Sequence, residues 1–396
     1  MVARRATLAG IGVYFGVLQL VFTLTWTVYV VYLPRLAAAA GISGIYVAWI
    51  LVLDQLIFAL CDWAVGIAAD RVAQVIGRLG LWIAAITVIS ALAFLLLPFA
   101  ASGIGPVPFL VIVAIWSATS SALRAPPLVL LGRYAPTPSQ PWLASLLLLG
   151  VGIASMLSPL VMVELRNVDP RIPFVLSAAA VALVTGAITW AERMFARDAE
   201  IPPSTRASAS MPGVGPFLAA IALLAIGYQV HAFLNSGAFF LRFVGPDRLA
   251  LLTPAFWLGF NLLMPPASLL TRRYGGLAIM ALGALIGAAA AWAAAQAGDV
   301  ISLVTAQFIA GGAWGCVSMS AVAAALAIGR TGAEGRVSGL MFSLVAAAAL
   351  ARIVVVAIQL PQQVPAIAEY LPWLPALAWL LAGLLLLAAA RPMQRR

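Results

Sequence analysis

Arg197-Asp-Ala-Glu-Ile-Pro-Pro-Ser-Thr-Arg-Ala-Ser-Ala-Ser-Met-Pro-Gly213 is the one long polar stretch in a chain of 396 residues. It mixes both charges with small residues and proline, carries no apolar period, and reads as a flexible linker. It sits beside the midpoint, and the sequence on either side of it is almost continuously apolar. The position of these seventeen residues therefore sets the architecture: one apolar half from 1 to 196, a linker over 197–213, and a second half from 214 to 396.

Apolar residues make up 64% of the chain and charged residues 9%, against roughly 25% charged in an ordinary soluble domain. So few charges cannot cover a water-facing surface. Lipid must be the solvent, which admits only helices or closed barrels. Barrel strands alternate polar and apolar residues over about ten positions. Here the apolar runs are unbroken and rich in Ala and Leu, so they are helices. Net charge is +10, yet every basic residue is Arg and none is Lys. The Arg residues lie in short segments between apolar runs, which points to membrane topology rather than to nucleic acid. The two cysteines, Cys61 and Cys316, fall inside apolar runs and are expected to be small buried thiols.

A spanning helix needs about 20 mostly apolar residues. Twelve such stretches are expected near 9–33, 43–69, 76–98, 106–131, 140–164, 173–192, 214–240, 249–270, 276–296, 300–328, 337–360 and 372–390. Pro or Gly opens many of the connections, as at Leu33-Pro34, Gly105-Pro106, Gln140-Pro141 and Leu371-Pro372. The N-terminal run is about 25 residues, longer than the ~7–15 of a signal core, and is expected to remain as the first span. With the N-terminus inside, the inner segments hold about three times as many Arg residues as the outer ones. Both termini are therefore expected in the cytoplasm of a bacterial-type inner membrane. An internal likeness supports the division into halves. Ser121-Ala-Leu-Arg-Ala-Pro-Pro-Leu-Val-Leu-Leu-Gly132-Arg133 closes span 4, and Ser318-Met-Ser-Ala-Val-Ala-Ala-Ala-Leu-Ala-Ile-Gly329-Arg330 closes span 10, about half the chain later. The expected fold class is an all-α polytopic membrane protein of two pseudo-symmetric six-helix bundles.

The segment after span 2 reads Asp62-Trp-Ala-Val-Gly66-Ile-Ala-Ala-Asp70-Arg71-Val-Ala-Gln-Val-Ile-Gly77-Arg78. With twelve spans in six plus six and a central linker, it resembles the major facilitator superfamily. The loop 2–3 motif of that superfamily has Gly, three residues, Asp-Arg, one residue, then Gly-Arg. Gly66, Asp70, Arg71, Gly77 and Arg78 match in order, with five residues instead of one between Arg71 and Gly77. A weaker likeness joins Asp62, Gly66, Asp70 and Arg71 to glycoside–pentoside–hexuronide cation symporters. There Trp63 replaces a proline and Phe58 an acid, which leaves no pair of carboxylates for sodium. The resemblance implies two bundles rocking about a central site, with Asp70, Arg71 and Arg78 as gating residues.

A charge inside a span costs about 2.5–3.5 kcal/mol on insertion scales and usually faces protein or water. Four such residues are Asp54 and Asp62 in span 2, Arg124 in span 4 and Arg352 in span 11. Asp54 lies roughly 11 and Arg352 roughly 8 residues from the outer ends of their helices. Spans 2 and 11 face each other in the superfamily, so Asp54 and Arg352 are candidates to pair; the alternative is an Arg352 that snorkels to lipid headgroups. Asp62 and Arg124 are candidates for an inner pair, either part of the gate or a static brace. Pro126-Pro127 is expected to kink span 4.

Tyr228, His231 and Asn235 are spaced by three and four, hence on one face of span 7. They either line a cavity or bond to neighbouring helices. Gln19, Thr23, Trp26 and Thr27 in span 1, Trp257 and Asn261 in span 8, and Gln307 and Trp314 in span 10 complete a pocket of aromatic walls with scattered hydrogen-bonding groups. No metal or other cofactor is expected, because one histidine and no cysteine cluster supply too few ligands. Without lysine there is no phosphate-loop or Schiff-base lysine, so neither ATP hydrolysis nor enzymatic catalysis is expected. The reading is a secondary transporter for a small organic solute, driven by protons through Asp54 or Asp62, working as a monomer in the bilayer. Efflux of amphipathic compounds and a transporter-like assembly scaffold are the alternatives.

Overall fold

A computed structural model describes residues 2–73, 78–101, 103, 105–188, 190, 213–330 and 332–390. Among them nine helices are long and apolar enough to cross a membrane, and three shorter apolar ones complete a set of twelve. The six spans before the linker are Val2–Ala39, Val47–Ala73, Arg78–Ala100, Pro106–Ala122 continued by Ala125–Tyr134, Gln140–Leu165 and Arg171–Gly186. The six after it are Val214–Phe240, Pro254–Tyr274, Gly276–Ala295, Val300–Ile328, Glu334–Ala357 and Leu374–Ala390, the first of these passing through a π turn. The linker residues 197–212 and the side chains of Arg71 and Arg78 lie outside the described part.

The helices of each half pack by one scheme. Within the first half, span 1 lies against 5 and 6, span 2 against 4, and span 3 against 4 and 6. Adding six to each number gives the second half: 7 against 11 and 12, 8 against 10, and 9 against 10 and 12. The contacts between halves obey the same rule, because 2 against 11 becomes 8 against 5. The molecule is thus two six-helix bundles related by a pseudo-two-fold axis. Large apolar side chains such as Leu92, Leu183, Leu269 and Leu377 point outward from them, as lipid-facing residues must.

Several helix limits differ from those expected. Pro34 does not end span 1, which runs on to Ala39. Leu33, Leu36, Ala37 and Ala40 are buried in the outer core of the first bundle. That packing holds the extra turns, although a proline removes a backbone bond. Arg35 is therefore an exposed helical residue rather than a loop residue. Span 4 breaks at Leu123 and Arg124, and Pro126-Pro127 fall in the first turn of the helix that follows, where a missing backbone N–H costs least. Span 11 ends at Ala357, before Gln359 in the left-handed conformation (φ 52°). Two short helices, Leu360–Gln363 and Pro365–Tyr370, then fill what the sequence suggested was loop. Cys61 and Cys316 are free and only partly buried, Cys316 packing against the edge of the main core.

Candidate functional site

The two bundles enclose a cavity of about 850 Å³. Its lining comes from the middle and outer parts of the spans. It reaches Ala48 at the start of span 2, Met162 near the end of span 5, Thr253 before span 8 and Val356 at the end of span 11. At the inner end spans 2 and 11 instead touch backbone to backbone. A Cβ added at Gly66 would overlap the carbonyl of Gly335, and one at Gly339 would press on the carbonyl of Asp62. Only glycine allows two helix axes to come this close.

A carboxylate locks the same contact. Ala333, the N-cap residue of span 11, has no side chain able to cap it. The orphan donors of that helix end are met by span 2: Asp70 accepts from the backbone N–H of Gly335 at 2.7 Å and of Arg336 at 2.8 Å. Negative charge is favoured at a helix N-terminus. Asp70 sits on the helix extension beyond the apolar stretch Gly44–Ala68. Burial raises its pKa to about 6, outweighing the two backbone donors that lower it.

The four intramembrane charges fall into different arrangements. Asp62 is buried and accepts from Ser121 Oγ at 2.5 Å and from Arg124 Nη2 at 3.0 and 3.1 Å. Arg124 also lies over the Phe58 ring, 4.5 Å from its centroid, and reaches the cavity wall. Asp54 is wholly buried and accepts from Tyr29 Oη at 2.8 Å and Ser117 Oγ at 2.5 Å. Among the described residues no cation pairs with it. Arg352 donates from Nε to Gln229 Oε1 at 2.9 Å and lies 4.6 Å over the Phe233 ring.

The expected pairing of Asp54 with Arg352 is therefore wrong, and helix geometry explains why. At 3.6 residues per turn, Asp54 lies roughly 120° around span 2 from Gly66, and Arg352 roughly 140° around span 11 from Gly339. Each charge points away from the contact that brings the two helices together. Asp54 faces spans 1 and 4, and Arg352 faces span 7 and the cavity.

Of the expected cavity residues, Gln19, Thr23, Trp26, Thr27, Tyr228 and Trp257 line it. Five do not. His231 is buried with Nε2 3.0 Å from Gln307 Oε1, so these two face each other between spans 7 and 10. Asn235 donates to the carbonyl of Leu371 at 2.9 Å. Asn261 is turned to span 5 against Gly152, and its side-chain amide has no partner. Trp314 stacks on the back of Tyr228 with centroids 4.3 Å apart. The true cavity stripe of span 7 is Tyr228, Gln229, Ala232, Phe233 and Ser236. Residues Val230–Asn235 form a π turn with i→i+5 bonding, which rotates Asn235 off the face that α-helical spacing assigns it; His231 lies on the side of Tyr228 away from Gln229 and misses the stripe for that reason. Gln55 and Gln229 were missed, although an amide inside an apolar span is the same signal that singled out Gln19 and Gln307.

Among the described residues no three His, Cys, Asp or Glu side chains gather as a metal site would require. The fold and the cavity define a polytopic α-helical membrane protein with one central binding space between two bundles. No family model matches the sequence, nor does any curated protein. Solved structures do. The human organic anion transporter MFSD10 (TETRAN) superposes with a TM-score of 0.67 at 14% identity, covering 96% of this chain and 98% of that one. The major facilitator superfamily transporter FucP in its outward conformation gives 0.66 at 14% over 96% and 98%. The proton:xylose symporter XylE bound to 6-bromo-6-deoxy-D-glucose gives 0.69 at 12% over 98% and 95%. The chain has the major facilitator superfamily fold.

Proposed function

We propose that this protein is a secondary transporter that carries a small organic solute by alternating access, with Asp54 as the proton-binding group. The observation that carries the reading is a central cavity that runs from the middle of the molecule to its outer end, above an inner end closed by spans 2 and 11. A static scaffold has no need of such a hollow. In this reading the carrier is loaded from the outer side, and both termini lie on the cytoplasmic side of an inner membrane. The solved structures of like fold include proteins described as an organic anion transporter and a proton:xylose symporter.

Asp54 supports the coupling. A lone buried carboxylate is costly in its charged form, and two hydroxyls are a smaller compensation than a cation. Gaining a proton removes that charge without breaking a helix contact. Asp62 is the second candidate, although its ion pair with Arg124 makes it better suited to bracing spans 2 and 4. The test is Asp54→Asn in proteoliposomes, with a solute found by melting-shift screening of metabolites and drugs. Transport driven by a pH gradient is expected to fall at least tenfold, while solute exchange at equal pH persists. Undiminished pH-driven uptake in the variant overturns Asp54 as the coupling site.

In this reading Asp70 is the inner latch, with Arg71 and Arg78 beside it in the sequence motif. Its pKa is about 6 in the closed arrangement and returns toward 3.8 once the latch opens to water. Protons bind better to the state with the higher pKa. Acidification from pH 6 toward 4 is therefore expected to favour the closed inner end, and pH above 6 to have no effect through this group. Spin-label distances across the inner end measure it. A pH dependence of opposite sign, or one that survives Asp70→Asn, refutes the assignment.

A further inference from the structure

We infer that the cavity selects a monoanionic amphipathic solute, an aromatic carboxylate in the simplest case, and that Arg352 binds its charged end. The inference rests on the carrier reading above and names the substrate class of the same cavity. The charged side chains on the cavity wall are Arg124 and Arg352, and no Asp or Glu lies among the described lining residues. Arg124 is neutralised from behind by Asp62 at 3.0 Å. Among the described residues Arg352 has no carboxylate partner, and its one hydrogen bond is from Nε to the neutral amide of Gln229. The cavity therefore carries one uncompensated positive charge at membrane depth, where a lone charge is expensive. An anionic solute relieves that cost.

The geometry of Arg352 fits the task. Gln229 is itself buried, 6% exposed, and fixes the guanidinium by Nε. The ring of Phe233 supports its face at 4.6 Å. Among the described residues the Nη1 and Nη2 groups make no hydrogen bond, and together they form the planar fork that takes a carboxylate by two parallel bonds. The rest of the wall suits a flat apolar body. Trp26 and Trp116 present near-parallel rings on one bundle, with centroids 6.0 Å apart, and Tyr228 and Trp257 meet edge to face on the other. A polyol would leave this surface unmatched, and an organic cation would meet Arg352 as a like charge.

The test uses purified full-length protein in nanodiscs, with binding read by calorimetry and melting temperature. The probes are 2-naphthoate, 2-naphthylmethanol, 2-naphthylmethylammonium and D-glucose. Expected are 2-naphthoate binding at least tenfold tighter than the alcohol, no measurable binding of the ammonium, and loss of the carboxylate preference in Arg352→Gln. Arg352→Lys keeps the charge without the fork and is expected to retain part of the preference, which separates anion recognition from a folding defect. Binding of the alcohol or ammonium equal to that of naphthoate, or an undiminished preference in Arg352→Gln, overturns the inference but leaves the carrier reading standing. Preferential binding of glucose does the same. If no probe binds, and the wider metabolite and drug screen also gives no melting shift, the carrier reading itself falls and the inference with it.

Discussion

Replacing Gly66 with leucine is expected to hold the inner end open. The side chain would have to occupy the space now filled by the Gly335 carbonyl, and the neighbouring Gly339 brings the rest of span 11 equally close. Backbone cannot yield as a flexible side chain can, so the clash must be relieved by separating spans 2 and 11. Overpacking of this kind costs about 3 kcal/mol, which shifts a two-state equilibrium by roughly a hundredfold. The Asp70 cap on span 11 is pulled apart in the same movement, since Gly66 lies about one turn before it on the same helix. Spin labels at the exposed positions Thr137 and Arg330, on opposite halves of the inner face, report the separation. The distance distribution is expected to move to longer values in Gly66→Leu. It is expected to stay unchanged in Gly237→Ala, where an added Cβ meets nothing within 4 Å. An unaltered distribution in Gly66→Leu means the close approach does not control the inner end.

The second large effect is asymmetric. Arg124 and Asp62 share an ion pair in which the arginine is 34% exposed and the aspartate 5%. Arg124→Met leaves a carboxylate enclosed by protein with only Ser121 to serve it, and stranding a buried charge costs roughly 3–5 kcal/mol. Asp62→Asn leaves a guanidinium that already reaches the cavity and can be hydrated there, so its loss is expected to be clearly smaller. The double variant is expected to be more stable than Arg124→Met alone, because the stranded charge is gone. Chemical denaturation of the three proteins in mixed micelles measures this order. Equal losses for the two single variants would show that the pair is a surface contact and not a brace between spans 2 and 4.

The sequence carried the architecture because apolar length is a one-dimensional signal. Twelve runs, a polar midpoint and Asp70-Arg71 after span 2 are enough to specify two bundles and the helix that latches them. Which side of a helix a residue occupies is a different matter, since it depends on where the axis tilts and how it is wound. Asp54 and Arg352 were each placed at a sensible depth and given the wrong neighbour, for depth says nothing about azimuth. In span 1, Gln19, Thr23, Trp26 and Thr27 share the cavity face because they lie on regular helix. Asn235 leaves the wall because the winding changes beneath it, and His231 because the wall lies on the other side of Tyr228. Gln307 and Trp314 show a further limit: a polar or aromatic residue one layer behind the wall has the same spacing as one in it.

The six residues of wider winding in span 7 also separate two tasks along one helix. Inward of them, Tyr228 faces the cavity, while beyond them Phe239 and Phe240 pack with Ala294, Ala295 and Leu303 of spans 9 and 10. Arg242 then ties the helix end to the carbonyls of Ala294 and Ala295. An unbroken α-helix would fix the phase between these two surfaces by residue number alone. The π turn acts as a phase adjuster: deleting one residue from 230–235 and restoring regular winding would swing the outer segment out of its seat while leaving Tyr228 where it is. In the proposed carrier, changes in cavity shape would be taken up within span 7 itself, without unseating the end that anchors it.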